Sequence, residues 1–250
     1  MKVTKKLVMF LLVLGTIFLV TQGAWAAEVL YAPFEDYYLV GSTVSPHTTV
    51  YVADSSQQCV LTPWACPFLP NNNPQPPVLW VLGKVGMAFE FFGNQYITVD
   101  NSAQLNLETY DFAITFWVKT NSAKAYNNII DKRPAPIPAP GVVGYAVCIY
   151  NGYPLLHIKS TASTWRNYFG NASSPKVNDG NWHYVAIYVE RRNAVGGKIY
   201  IDGVCAHTFN PTEHTGNISN KEPLFIGKHA TWTNSYFEGT LDEVRIFRAQ

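Results

Sequence analysis

The stretch that decides the fold runs from Val177 to Glu190 as VNDGNWHYVAIYVE, and resumes as GKIYIDGVCAHT from Gly197 to Thr208. Both parts are rich in Val, Ile and Tyr, which favour strands, and are bounded by Gly, Asn and Asp. The dipeptide Asp202-Gly203 predicts a hairpin turn, because Gly adopts a positive φ at little cost. The two parts therefore predict paired strands.

Similar short runs recur along the chain, while helical periodicity is hard to find. Examples are MAFEFF, FAITFWVKT, GYAVCIY, PLLHIKS and TLDEVRIFR. They are too numerous for one flat sheet, and two stacked antiparallel sheets would bury one face of each. We therefore predict an all-β sandwich. In the last run, a period of two puts Asp242 on one face with Val244 and Ile246.

The N-terminus has the features of a signal peptide. Three lysines within the first six residues precede an apolar run from Leu7 to Val20, and Ala24-Trp25-Ala26 offers small residues at a cleavage site. The run is short for a bilayer span, and no second one follows. We predict a signal peptide over residues 1–26 and a secreted or cell-surface protein with no membrane span after cleavage.

Residues 27–250 are expected to form one domain. The formal net charge is +1 with Lys and Arg scattered, which argues against nucleic acid and anionic membranes as partners. Prolines and asparagines concentrate at about residues 45–77, which we interpret as an insertion, since so many prolines cannot occupy central strands. A second proline-rich loop spans Lys132 to Gly144.

The chain has four cysteines, which in an exported protein predict disulfides. Cys59 and Cys66 would close a short loop, and Cys148 and Cys205 occupy strand-like positions. We expect the pairs 59–66 and 148–205, although the sequence permits three pairings. None of the four has the spacing of a metal site.

Five stretches in order resemble the laminin-G-like and pentraxin-like modules of the concanavalin A-like lectin/glucanase superfamily. They are GKVGMAFEFFGNQYITVDNSAQLNL, FAITFWVKTN, the pair quoted first, PLFIGK and FEGTLDEVRIF, within Val78 to Phe247. The resemblance implies a jelly-roll sandwich with Trp117 packed between the sheets. It does not cover the insertion at 45–77.

Catalysis is not expected. Glycosidases of this fold carry acidic residues at alternating strand positions, because their mechanism needs two carboxyl groups close together. The acidic residues here are dispersed, and no G-x-S-x-G or H-E-x-x-H motif is present. A glycoside hydrolase remains a lesser alternative.

Carbohydrate binding is the favoured function. Sugars stack on flat rings, and their hydroxyls are met by amides and Arg. Two segments have that composition, STWRNYFGN from Ser163 and HATWTNSYFEG from His229. The candidate ligand residues are Trp165, Arg166, Asn167, Tyr168, Trp232, Asn234 and Tyr236. Alternatively, some of these rings cover the sandwich edge.

The resemblance also implies a structural Ca²⁺. In the superfamily an Asp that opens the last strand often joins oxygens from the first strand, and the matching residues are Asp242 with Glu35 and Asp36. The alternative is that Asp242 accepts backbone N–H bonds without a metal.

A structural role is a third hypothesis. The protein would then be a subunit of an extracellular surface layer or filament, or an adhesion module, with another protein or a second copy of the chain as its partner. The sequence does not separate this hypothesis from sugar binding.

Overall fold

The computed structural model of the chain describes residues 79–134, 143–230, 232 and 235–249. For Trp80, and for six strands between residues 10 and 65, it describes the backbone alone. The strands are β1 (Phe10–Val13), β2 (Thr16–Leu19), β3 (Ala26–Ala32), β4 (Tyr37–Leu39), β5 (Val50–Ala53), β6 (Val60–Ala65), β7 (Leu79–Leu82), β8 (Met87–Phe92), β9 (Gln95–Val99), β10 (Phe112–Lys119), β11 (Tyr126–Lys132), β12 (Gly144–Tyr150), β13 (Tyr153–Lys159), β14 (Arg166–Phe169), β15 (Trp182–Val189), β16 (Gly197–Ile201), β17 (Val204–Phe209), β18 (Leu224–Ile226) and β19 (Glu238–Ala249). Among these described residues, the only helical element is a 3₁₀ turn at Thr212–His214.

The strands form two antiparallel sheets, which confirms the predicted all-β sandwich. The first sheet has the order β17-β16-β15-β10-β19-β8-β7, with β3 also pairing with β19. The second has the order β14-β13-β12-β11-β18-β9-β6-β5-β4, and β1 pairs with β2 alone. The predicted signal peptide stays a prediction, and much of the 45–77 insertion lies outside the described residues.

The core forms where the inner faces of the two sheets meet. Phe116 and Ile187 contribute from the first sheet, and Val147 and Leu156 from the second, all fully buried. Burying each such side chain stabilises the fold by about 1.5–3 kcal/mol. Because successive side chains of a strand point to opposite faces, each sheet also has an outer face, whose composition differs from that of the core.

A bulge in β19 and the alternation of side chains along β10 correct two expectations from the sequence. Glu243 has a φ of 52°, and the pairing of β10 with β19 shifts register between Thr115 and Trp117. The extra residue lets Leu241 and Val244 both reach the core, while Asp242 pairs with Trp117. Trp117 alternates with core residues and is half-buried on the outer face, 5.2 Å from the Tyr184 ring. Asp242 therefore does not share a face with Val244, and Trp117 does not pack between the sheets.

The hairpin predicted at Asp202-Gly203 is present and is tied to His183. Asp202 and Gly203 both have positive φ, 50° and 86°, as a type I′ turn requires. His183 Nδ1 lies 2.7 Å from Asp202 Oδ2, and its Nε2 lies 2.9 Å from Asp179 Oδ1. Burial lowers the pKa of His183, but the hydrogen bonds to both carboxylates outweigh burial and raise it. The imidazolium therefore links two turns.

This link predicts a pH-dependent stability. Because the folded-state pKa of His183 is raised, its contribution is fully present below the unfolded pKa of about 6.5 and is lost as pH rises through the folded value. The loss of unfolding free energy on His183→Gln should be larger at acidic than at alkaline pH. Urea titrations across that range measure it. Burial lowers the pKa of His207, so His207→Gln should show the opposite trend. A pH-independent loss at His183 would contradict the link.

Arg191 is buried completely and joins three loops through backbone carbonyls. Its Nη1 donates to Glu108 O at 2.7 Å, and its Nη2 donates to the carbonyls of His214 and Gly216. Burial lowers the pKa of Arg191 to about 10. The guanidinium thus supplies hydrogen bonds that these loops lack from strand pairing.

Removing that guanidinium should destabilise the sandwich. Arg191→Met leaves buried carbonyl groups without donors, and we expect a loss of about 3 kcal/mol in unfolding free energy. The neighbouring Arg192 is exposed, so Arg192→Met should change stability by less than about 0.5 kcal/mol. Equal losses in chemical denaturation of the two variants would contradict a structural role for Arg191.

Candidate functional site

The outer face of the second sheet carries a row across four strands that contains three polar residues and one alanine, here called the polar row. Asp131 on β11 pairs with Ala146, Ala146 with His157, and His157 with Asn167 on β14. Residues in such a row project from the same face. Because Val147 and Leu156, the next residues along, face the core, this polar row faces away from it.

An aromatic row lies beside the polar row on the same face. We use this name for Trp232, Tyr126, Tyr150 and Phe169. Successive ring centroids are 5.6, 4.8 and 5.2 Å apart. The two end rings are the most open, with Trp232 exposed by 48% and Phe169 by 36%. The row therefore presents apolar ring surface to solvent.

Arg133 connects the polar row to two tryptophans. Its Nε donates to Asp131 Oδ1 at 2.6 Å and its Nη2 donates to Asp131 Oδ2. Its Nη2 also lies 2.9 Å from His229 Nε2, and the His229 ring stacks on Trp232 at 4.2 Å. The guanidinium lies 5.5 Å from the Trp165 ring. One buried side chain therefore contacts both segments that the sequence singled out.

The charge of Arg133 makes the electrostatic potential around it positive. Burial and the Arg133 charge lower the pKa of His157 to about 4 and that of His229 to about 3. Both imidazoles are therefore neutral near pH 7. The nearby Asp131 carboxylate, although ion-paired to Arg133, does not cancel this effect at either ring.

Cys148, His157 and Asn167 are placed like a nucleophile, a base and an orienting amide. Cys148 Sγ lies 3.9 Å from His157 Nε2, and His157 Nδ1 lies 2.5 Å from Asn167 Oδ1. Burial, however, raises the pKa of the Cys148 thiol to about 12. With the imidazole pKa also lowered, the thiolate–imidazolium pair that activates a cysteine is not populated near neutral pH.

The structure brings together only some of the predicted ligand residues. Trp165, Asn167 and Phe169 alternate along one side of the β14 segment, and Trp165 and Trp232 meet through Arg133 and His229.

Arg166 and Tyr168 lie on the opposite side of β14. Arg166 Nε pairs with Glu213 Oε1 at 2.5 Å, and the Tyr168 ring stacks on Phe209 at 4.0 Å. Tyr236 is buried and stacks on Tyr96 at 6.1 Å. Asn234 lies outside the described residues.

Sequence reasoning missed Asp131, Arg133, Tyr126 and Tyr150. The signal was available in part, because a carboxylate and an arginine two positions apart at the end of a strand share a face. The proline-rich stretch that follows them drew the interpretation toward a loop instead.

The predicted pairing of Cys148 with Cys205 is wrong, since both are free cysteines. Cys148 is buried on β12 of the second sheet, whereas Cys205 is exposed on β17, at the edge of the first. Cys148 Sγ lies 3.9 Å from His157 Nε2 instead, and Cys205 Sγ lies 3.6 Å from Thr208 Oγ1. Cys59 and Cys66 lie outside the described residues.

Asp242 is held by the turn between β7 and β8. Its Oδ2 accepts N–H bonds from Lys84 at 2.8 Å and Val85 at 2.9 Å, while its buried Oδ1 has no partner among the described residues. Burial raises the pKa of Asp242 to about 6, against the effect of these hydrogen bonds. The expected partners Glu35 and Asp36 lie outside the described residues, and the described part of the chain contains no cluster of three or more metal-ligating side chains.

The family can now be identified. The sequence profile of the concanavalin A-like lectin/glucanases superfamily matches residues 91–250. The chain belongs to this superfamily. The match covers most strands of both sheets, including those that carry the polar and aromatic rows. No curated protein sequence matches the chain significantly.

Solved structures share the fold at low sequence identity. The binding domain of Paraclostridial Mosquitocidal Protein 1 is 15% identical with a TM-score of 0.61, over 89% of this chain and 49% of that one. Domain 4 of AbnA, a GH43 extracellular arabinanase from Geobacillus stearothermophilus solved with arabinotriose, is 18% identical with a TM-score of 0.59, over 90% and 93%. The botulinum neurotoxin serotype G binding domain is 16% identical with a TM-score of 0.58, over 90% and 48%. The chain thus spans about half the length of the two toxin domains.

The part of the chain that the structure describes has no helix long and apolar enough to cross a membrane.

Proposed function

We propose that the chain is a non-catalytic recognition module that binds carbohydrate through the outer face of the second sheet. The aromatic row carries this proposal, since partly exposed rings offer stacking surface to the C–H faces of sugars. The polar row beside it supplies the Asn167 side-chain amide for hydroxyls. Of the solved structures with the same fold, the AbnA domain was solved with arabinotriose, which supports the same ligand class here.

The proposal extends to location and partners. A secreted or cell-surface module with a predicted signal peptide would meet glycans of a surface or of an extracellular protein. The neutral Cys148 thiol and His157 imidazole support binding over nucleophilic chemistry.

The aromatic row predicts which substitutions weaken binding. Trp232→Ala and Phe169→Ala should each weaken oligosaccharide binding by about tenfold, equivalent to about 1.4 kcal/mol, because each removes stacking surface. Tyr110 is an exposed aromatic outside this face, so Tyr110→Ala is the matched control. A glycan array followed by titration calorimetry on the bound glycans gives the affinities. Wild-type affinity in both row variants, with the fold intact, would reject the proposed surface.

A structural calcium ion at Asp242 forms a second part of the proposal. A buried oxygen without a partner among the described residues fits a cation or a proton, and Ca²⁺ binds carboxylate and carbonyl oxygens. β3, the strand that precedes Glu35 and Asp36 in the sequence, ends at Ala32, which pairs with Val244 two positions after Asp242. Those carboxylates would complete the ligand set.

Calcium should therefore raise the melting temperature of the wild-type protein, because a ligand that binds only the folded state stabilises it by mass action. Asp242→Asn should abolish the shift. Thermal scans with chelator and with added calcium measure both proteins. A wild-type melting temperature that calcium leaves unchanged would favour the hydrogen-bonded tie alone.

A further inference from the structure

Next to the polar row, one end of the outer face presents hydrogen-bond donors. Gly144 on β12 pairs with Lys159 on β13, and Arg133 and Trp165 adjoin them at the ends of β11 and β14. The Arg133 guanidinium lies 5.5 Å from the Trp165 ring. Asn167 follows two positions after Trp165 on the same side. These four side chains, Arg133, Lys159, Trp165 and Asn167, are called the donor patch.

The acceptors near the donor patch are already occupied. Asp131 Oδ1 accepts from Arg133 Nε, and Asp131 Oδ2 accepts from Arg133 Nη2 and from Ala230 N at 2.9 Å. Asn167 Oδ1 contacts His157 Nδ1, so the amide group of Asn167 is left to donate. Whatever binds here therefore finds no unoccupied carboxylate oxygen on Asp131.

Several donors are unoccupied within the described part of the chain. No described residue accepts a hydrogen bond from Arg133 Nη1, Asn167 Nδ2 or Lys159 Nζ. Trp165 Nε1 is buried and likewise has no acceptor there. A buried donor without an acceptor costs free energy, which a ligand oxygen would recover.

The charge balance favours an anion. The patch contains two cations, Arg133 and Lys159, and the adjacent Asp131 neutralises one of them. Charge-assisted hydrogen bonds from guanidinium and ammonium groups to anionic oxygens are stronger than those to neutral hydroxyls. Phe169 of the aromatic row follows two positions after Asn167 on the same side of β14, so one ligand can span both.

We propose that the donor patch binds an anionic substituent, a carboxylate or a sulfate, of a saccharide whose rings lie on the aromatic row. The inference rests on the proposed function and adds the substrate class, an acidic rather than a neutral saccharide. Lys159 and Asn167 contact the ligand, and Arg133 provides its Nη1 while holding both tryptophans in place.

Matched pairs of saccharides test the inference. The pairs are trigalacturonate with its methyl ester, sialyllactose with lactose, and a galactose disaccharide with and without sulfate, and calorimetry or fluorescence titration gives their affinities. We expect the anionic member of at least one pair to bind at least tenfold more tightly, with an affinity that falls as salt rises. A preference in the galacturonate or sialyllactose pair indicates a carboxylate ligand, and a preference in the sulfated pair indicates a sulfate.

Substitutions locate the effect. Lys159→Gln should reduce the preference for the anionic member several-fold while leaving the affinity for its neutral partner unchanged. Asn167→Ala removes an amide of the polar row as well, so it should reduce the preference and also weaken binding of the neutral partner. Lys198→Gln, on the first sheet, is the matched control. Arg133→Gln should lower the affinity for the anionic member further. Because Arg133 is buried and its substitution can disturb the fold, the substitutions at the more exposed Lys159 and Asn167 test the inference.

The outcomes separate the inference from the proposed function. Equal affinities within every bound pair, or a preference that Lys159→Gln leaves intact, overturn the anionic class while carbohydrate binding stands. Failure of the wild-type protein to bind any glycan, on the array or in these titrations, rejects the proposed function and the inference with it.

Discussion

The buried ion pair between Asp131 and Arg133 organises the outer face of the second sheet. Removing two charges from water is costly, and hydrogen bonds from neighbouring groups reduce that cost. Here Ala230 N–H and His229 help to provide these hydrogen bonds. The need to satisfy the pair fixes the loop that carries Trp232 against the end of β11. A buried electrostatic requirement thus positions an exposed ring.

The position of the candidate site follows from strand periodicity. The alternation that buries Val147 and Leu156 places Cys148 and His157 on the opposite face, where no second sheet packs. Antiparallel pairing then aligns single residues from several strands into rows. Rows of this kind combine rings and polar groups without any contiguous motif in the sequence, which is why no catalytic or metal signature marks the surface.

Much of the fold could be predicted from the sequence, and less of the site. Apolar alternation in WHYVAIYVE and the Asp202-Gly203 turn were enough to predict paired strands, because both are local properties. The direction of Asp242 could not be predicted, since the bulge at Glu243 depends on two strands accommodating an extra residue. The expectation for Trp117 came from the family resemblance, whereas a period of two along β10 places this side chain on the outer face. Trp165 and Trp232 were recognised from composition, but their connection needed Arg133, more than thirty residues away from the nearer one along the chain.

The central claim is that the outer face of the second sheet is the ligand surface. The most direct measurement is a two-dimensional ¹H–¹⁵N NMR titration of the labelled protein with a bound oligosaccharide. The account predicts that the indole resonances of Trp165 and Trp232 and the side-chain amide of Asn167 shift most, while the indole of Trp117, on the first sheet, stays in place. Shifts centred on Trp117 and the β7–β8 turn, with Trp232 unmoved, would contradict it.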